Sequence, residues 1–287
     1  MIEIMRSRYG VRELCEALEV TSSGYYKWRQ KKKSARADQN QTLLKEIKMI
    51  HLDKHMKSYG SPRMTSELNA RGFQCSRNRV ARLMSSAGIS ARHTPKWKPN
   101  TTVQNPRHQP SENHLKEVHE VAAPGQIWVS DITYVFTRSQ TCYLAVVMDL
   151  FTRRIVGWEF DTHMESTLVL KAMKQAEAQQ PLATARIFHS DRGSQYSSHL
   201  IRDHLKQKRY QQSMSALGYC YDNAACESFF ATLKKESFPI NQTFETPSKA
   251  RCEIFEYLEG FYNSRRLHSS LGMKSPNEFH QLHLQSN

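Results

Sequence analysis

Three carboxylates stand where ordinary surface duty does not explain them. Asp131 interrupts the apolar run WVSDITYV, with Trp128, Val129, Ile132, Tyr134 and Val135 around it. A charge in such a run is costly unless it is paired or binds a metal. Asp191 closes a second apolar run, in IFHSDRGSQY. Glu227 lies in DNAACESFFATLKKE, where Cys226, Phe229, Phe230 and Leu233 recur at helical spacing as a buried stripe. At about 100° per residue, Asn223, Glu227 and Lys234 share one flank of that stripe. If the two aspartate strands are neighbours, two carboxylates meet at one sheet end, and the helix adds a glutamate, an amide and a cation. Repulsion then raises one carboxyl pKa unless a divalent cation neutralises the group. An all-oxygen donor set suits Mg²⁺ or Mn²⁺. Two such ions roughly 4 Å apart activate a water or hydroxyl on one side of phosphorus and stabilise the leaving oxygen on the other. The expected chemistry is phosphodiester hydrolysis and strand transfer.

Periodicity predicts the elements that must position these groups. Residues 126–136, 142–151 and 153–161 are apolar, β-branched runs joined by connections so short that they pair antiparallel. A helix is expected over 166–179, then the strand ARIFHSD, a helix over 197–208 and the strand YQQSMS. The fold class is α/β, a mixed five-stranded sheet with helices on both faces. Residues 223–265 read as mainly helical.

The first part of the chain reads as all-α. Residues 11–30 suggest two short helices around a turn, with Leu14, Ala17 and Leu18 as the apolar stripe and Thr21, Ser22 and Ser23 as capping residues. Lys31 to Lys33 follow as a basic run, either solvated or touching phosphate. A helix is expected over 41–55, burying Leu44, Ile47 and Ile50 or His51. Ser61-Pro62 opens another helix, Gly72 closes it, and Ser76 starts a third. That third helix carries Arg77, Arg79 and Arg82 where a reading helix meets DNA. His51 and His55 have zinc-ligand spacing, but Cys75 has no partner cysteine two residues on, so they read as surface or packing residues. The expected division is a helix-turn-helix-like segment (1–35), a helix-turn-helix-like DNA-binding domain (41–92), a proline-rich linker (93–115) and a catalytic core with C-terminal helices (120–285).

Charge supports the division. The formal net charge is +14; residues 1–120 hold 23 Lys and Arg against 11 Asp and Glu, whereas residues 121–287 hold 18 against 16. A basic first half beside a near-neutral second half points to nucleic acid. Six cysteines form no CxxC pair, and no run of eighteen apolar residues or signal-like N-terminus is found. Reduced thiols and a cytoplasmic, nucleoid-associated location are expected.

Other residues leave alternatives open. Asp149 is either a fourth ligand or, preferably, a partner of Arg153 or Arg154 across the hairpin. His189 faces the same side as Asp191 and is either a residue supporting it or part of the core. Asn223 orients DNA or a metal-bound water, or caps its helix, as Asp222 is expected to. Gly193 permits a tight turn. Tyr262, Asn263, Arg266 and His268 contact DNA or pack a helix end.

In combination, WVSDITYV, HSDRGSQY and DNAACESFFATLKKE resemble the second-frame (OrfB) product of insertion-sequence transposases of the IS-three group, which have a retroviral-integrase-like DDE core of RNase H-like fold. Thirty-five residues separate Asp191 from Glu227, the family's interval, and Lys234 occupies its basic position seven residues after the glutamate. YNSRRLHSSLGMKSP, residues 262–276, resembles the family's C-terminal motif, and residues 51–110 its helix-turn-helix segment. The resemblance implies Mg²⁺-dependent 3′-end cleavage and strand transfer through Asp131, Asp191 and Glu227, with Lys234 on the DNA end. It also implies a homo-oligomer on paired element ends, target DNA as partner, and possible fusion to an upstream frame (OrfA). Two rivals are a DNA-binding regulator with an inactive core and a nuclease without strand transfer.

Overall fold

The computed structural model describes residues 1–30, 34–91, 111–114, 121–180, 186–215 and 224–285. Five strands arise from the expected runs: β1 (Ile127–Thr137), β2 (Thr141–Asp149), β3 (Ile155–Asp161), β4 (Arg186–Ser190) and β5 (Tyr210–Met214). Their order is β3-β2-β1-β4-β5. The first three pair antiparallel, and β4 and β5 continue parallel to β1. Parallel pairing needs a crossover, which α7 (Ser166–Gln179) and α8 (His199–Gln207) accommodate. A sixth strand, β6 (Thr243–Phe244), pairs with the far end of β1. It is two residues long, too short for an alternation, and so was absent from the expected five.

Both faces of the sheet are covered, as near-continuous apolar strands require. Trp128, Ala145, Val147, Val156 and Phe188 pack under α7 and α8. Gly157 lets α7 lie flush on β3, because a methyl there would overlap the carbonyl oxygen of Ala172. On the other face Val129, Leu144 and Val146 pack with α9 (Ala224–Glu236) through Cys226, Phe229, Phe230 and Leu233, the stripe expected from spacing. α10 (Pro247–Phe255) runs directly into a π-helical segment, Glu256–Tyr262, and α11 (Pro276–Gln285) follows.

The N-terminal part is helical, with corrections of detail. Short helices α1 (Ile2–Met5), α2 (Val11–Ala17) and α3 (Ser22–Gln30) bury Cys15 and Tyr25. Ala17 and Leu18, expected in the buried stripe, are exposed. α4 (Ala35–Leu52) starts earlier than expected because Ser34 caps it, its Oγ accepting from Ala37 N at 3.2 Å. Leu43, not Leu44, joins Ile47 and Ile50 on its buried face. Asp53 Oδ1 accepts the amides of His55 and Met56 and turns the chain, so His51 and His55 do not share a helix. His55 instead stacks on Phe261 at 4.9 Å. α5 (Ser61–Ala70) and α6 (Arg77–Ser86) form the expected pair, with Ser76 capping α6. Met64, Leu68, Val80 and Met84 are continuous with the core beneath the π-helical segment. Residues 111–114, assigned above to the linker, lie against β5: His114 N donates to Ser213 Oγ at 3.0 Å. Among the described residues no helix is long and apolar enough to cross a membrane.

Candidate active site

The β1–β4 register brings the aspartates together. The parallel ladder ends at Ser130 opposite Ser190, and Asp131 and Asp191 are each one residue further on. Beneath them Tyr196, buried, shares a hydrogen bond with Ser130 Oγ at 3.0 Å, and that hydroxyl donates to Val146 O at 2.8 Å. Composition hides this support, although Tyr196 completes the HSDRGSQY motif. Gly193 is not among the positive-φ residues. Its amide donates to Asp191 Oδ1 at 3.0 Å, and a Cβ there would crowd that oxygen. The glycine thus leaves room for close approach of the Asp191 carboxylate, and its backbone is not left-handed. Arg192 Nε donates to Ser215 O at 2.7 Å and ties the same loop to the end of β5.

The carboxylates share one field. Burial first, then Asp191 and Glu227, raise the Asp131 carboxyl to about 8 against the opposing Ile132 amide and Lys234. Burial also raises Asp191, against the Gly193 amide. Burial lowers Lys234, while Asp131 holds its proton on. Asp131 thus feels both Glu227 and Lys234 of α9, with Glu227 exposed and Lys234 half-buried. Among the described residues no three His, Cys, Asp or Glu side chains close on a single point tightly enough to hold an ion. The donor set is nonetheless hard oxygen with one opposing ammonium, an excess of negative charge that a divalent cation balances.

Several expected residues lie elsewhere. Asp149 is buried, but its oxygens accept from Thr152 N, Thr152 Oγ1 and Gly125 N. It fixes the β2–β3 connection and does not pair with Arg153 or Arg154. His189 is buried between Ser213 and Ser215 of the β5 region, 2.9 and 3.1 Å from their hydroxyls. Arg266, expected on DNA, is buried and bidentate to Glu236 at 2.7 and 2.8 Å, so its guanidinium is consumed inside the protein. Asn263 clamps Ile155 through both amide atoms, and Tyr262 OH donates to Arg153 O. These three support the fold; helix-end packing is the alternative that holds for them. Arg77 and Arg82 are exposed on α6, whereas Arg79 Nε donates to Asn40 Oδ1 at 2.8 Å. Asn223, Asp222 and Lys31 to Lys33 lie outside the described residues. Glu236 was missed, because the same helical stripe that signals burial gave no sign of its cationic partners.

Family models match three stretches of the chain. An integrase core domain matches residues 121–220, a second integrase core domain matches 208–276, and an HTH-like domain matches 38–97. The transposase for insertion sequence element IS904 of Lactococcus lactis subsp. lactis (strain IL1403) is 37% identical, over 84% of this chain and 94% of that protein. The insertion element IS600 uncharacterized 31 kDa protein of Shigella sonnei is 37% identical, over 93% and 97%. Transposase InsF for insertion sequence IS3A of Escherichia coli (strain K12) is 34% identical, over 99% and 98%.

Proposed function

Because this chain belongs to the IS3 family of insertion-sequence transposases, we propose that Asp131, Asp191 and Glu227 carry its chemistry. The enzyme is a DDE polynucleotidyl transferase acting on DNA, and its integrase core uses divalent metal. The observation that carries the residue assignment is the β1–β4 register, which sets Asp131 and Asp191 at one sheet end, with the Asp131 carboxyl raised by burial and then by Asp191 and Glu227. Asp131 and Asp191 would hold the metal from the sheet and Glu227 from α9. When bound, two ions supply an activated water or 3′-hydroxyl and a stabilised leaving oxygen. Lys234 would grip the phosphate next to the cleaved bond. Asn223 would orient the DNA end, and His189 would keep β5 registered against the strand that ends in Asp191. On α6, Arg77 and Arg82 would contact DNA phosphates, and Arg79 would join them only on leaving Asn40.

The same proposal divides the chain into a DNA-binding helical region from 41 to 92 and a catalytic region from about 120 onward, with the family matches as support. It includes assembly of more than one copy on paired ends and fusion to an upstream frame, which sizing of the protein–DNA complex with and without that segment tests. The deciding experiment is cleavage and joining of labelled element-end DNA with Mg²⁺, Mn²⁺ or EDTA, wild type beside Glu227→Gln and Asp191→Asn. Loss of several kcal/mol of transition-state stabilisation lowers joining at least about a thousandfold while DNA binding persists. A variant that still joins strands removes its residue from the metal set; hydrolysed ends without joining would make the protein a nuclease.

A further inference from the structure

A second basic site lies on the other side of α9. Thr232 is about 140° around the helix from Glu227, and with Ser228 it lines a cavity of about 350 Å³. Arg63 of α5, Arg153 of the β2–β3 connection, Arg266, His268, Ser269 and Ser270 add to the polar wall. Ala224 and Ala225, the first turn of α9, also line it, so the positive end of a thirteen-residue helix faces the same space.

The charges there do not balance. Glu236 is the carboxylate nearby, and Arg266 takes both of its oxygens while Tyr257 OH donates to one of them at 2.8 Å. Arg63 Nη1 remains 3.8 Å from Glu236, and Arg63 Nε donates to Leu267 O. Arg153 makes no ion pair with any described residue. Burial, followed by Arg266, Arg63 and Arg153, holds His268 down to about 3, so the imidazole is neutral and adds no charge of its own to the cavity. Arg153 also has φ 60°, a left-handed conformation that is strained for an arginine and that asparagine adopts more readily. The turn is anchored by Asp149 and by Tyr262 OH on Arg153 O, and it aims an unpaired guanidinium at the cavity despite the strain.

We propose that this cavity binds a backbone phosphate of the DNA substrate, with Arg153 and Arg63 as its cations and the Ser228, Thr232, Ser269 and Ser270 hydroxyls as donors. The proposal rests on the transposase reading. It gives the enzyme a grip on DNA separate from the carboxylate flank, at a point where a strand crossing the first turn of α9 reaches both. The ligand is the phosphodiester of polymeric DNA rather than free phosphate.

The test is Arg153→Asn on the full chain, with binding to a short mixed-sequence duplex followed by anisotropy across a salt series. Loss of one phosphate contact lowers the slope of log affinity against log salt by about one, with Tm unchanged or slightly raised because strain and like-charge repulsion are relieved. Arg153→Lys restores the slope. Inorganic phosphate at the same ionic strength as a chloride control competes no better than chloride; if it protects the cavity and abolishes the difference between wild type and variant, the site is for the free anion and the proposal fails. Should Arg153→Asn not fold, Thr232→Asp places a carboxylate in the same cavity and is expected to weaken binding. Wild-type binding with an unchanged slope in the variants overturns the phosphate site alone. No DNA binding by the wild type overturns the transposase reading as well.

Discussion

Asp131 shows how a functional residue is held against its own stability. Its carboxylate stands among apolar strand neighbours with Asp191 and Glu227 raising it and only Lys234 and the Ile132 amide in support. With the carboxyl raised to about 8, folding at neutral pH must protonate a group that is ionised in the unfolded chain, and an amide removes that cost. Asp131→Asn is therefore expected to raise the melting temperature of the metal-free protein by roughly 2–4 °C, the equivalent of about 1 kcal/mol in a chain of this size. The same substitution should abolish the thermal shift that Mg²⁺ or Mn²⁺ produces by binding the native state. A metal-dependent shift of wild-type size in the variant would exclude Asp131 as a ligand, whatever its activity.

Helix α9 presents three chemistries on three sides. Its stripe packs the sheet, one flank carries Glu227 and Lys234, and its last residue, Glu236, is buried beneath the C-terminal motif. Burial pushes the Glu236 carboxyl up, but hydrogen bonds and charge from Arg266, with Tyr257 and Arg63, outweigh it and hold it below the ordinary 4.5. A depressed carboxyl contributes stability that is present above its unfolded pKa and lost as pH falls through the folded one. Wild-type protein should lose stability on acidification below about 4.5 more steeply than Glu236→Gln, which starts less stable by about 3–5 kcal/mol because Arg266 is left buried and uncompensated. Parallel acid-unfolding curves for the two proteins would mean that Glu236 does not titrate with the fold. In this pair Arg266 of the YNSRRLH segment clamps the end of α9.

At the scale of the whole molecule, the helical region and the catalytic core share packing. Tyr59 OH accepts from Leu267 N at 3.2 Å, Arg63 Nε donates to Leu267 O at 2.8 Å, and Lys54 reaches Glu253 and Glu256. Leu43, Ile47 and Met64 belong to the same apolar cluster as Phe229 and Phe261. A DNA duplex bound on α6 is thereby held in a fixed relation to α9. Arg77→Ala and Arg82→Ala should each reduce the salt slope of DNA binding by about one, with cleavage of pre-bound DNA little changed. Arg266→Lys should lower Tm without altering that slope. If Arg266→Lys changes the slope and the α6 variants do not, DNA is held by Arg266 and not by α6.

The strands, the α9 stripe, the carboxylate flank and the family resemblance were legible in the amino-acid sequence because each depends on local periodicity or on spacing along one element. Asp131 and Asp191 could be singled out in advance because a carboxylate inside or closing an apolar strand is costly unless it is paired or metal-bound, whereas their meeting depended on the strands being neighbours. Relations between distant segments were not legible. Arg266 looks like any surface arginine until folding brings Glu236 against it, and Asp149 looks like an ion-pair partner until the turn offers Thr152 and Gly125 instead. Leu43 displaced Leu44 because the direction of the core, not helix period alone, selects the buried face. The cavity between Arg63, Arg153 and α9 joins residues far apart in the chain, and only tertiary packing decided that their charges would face one space without enough carboxylate to balance them.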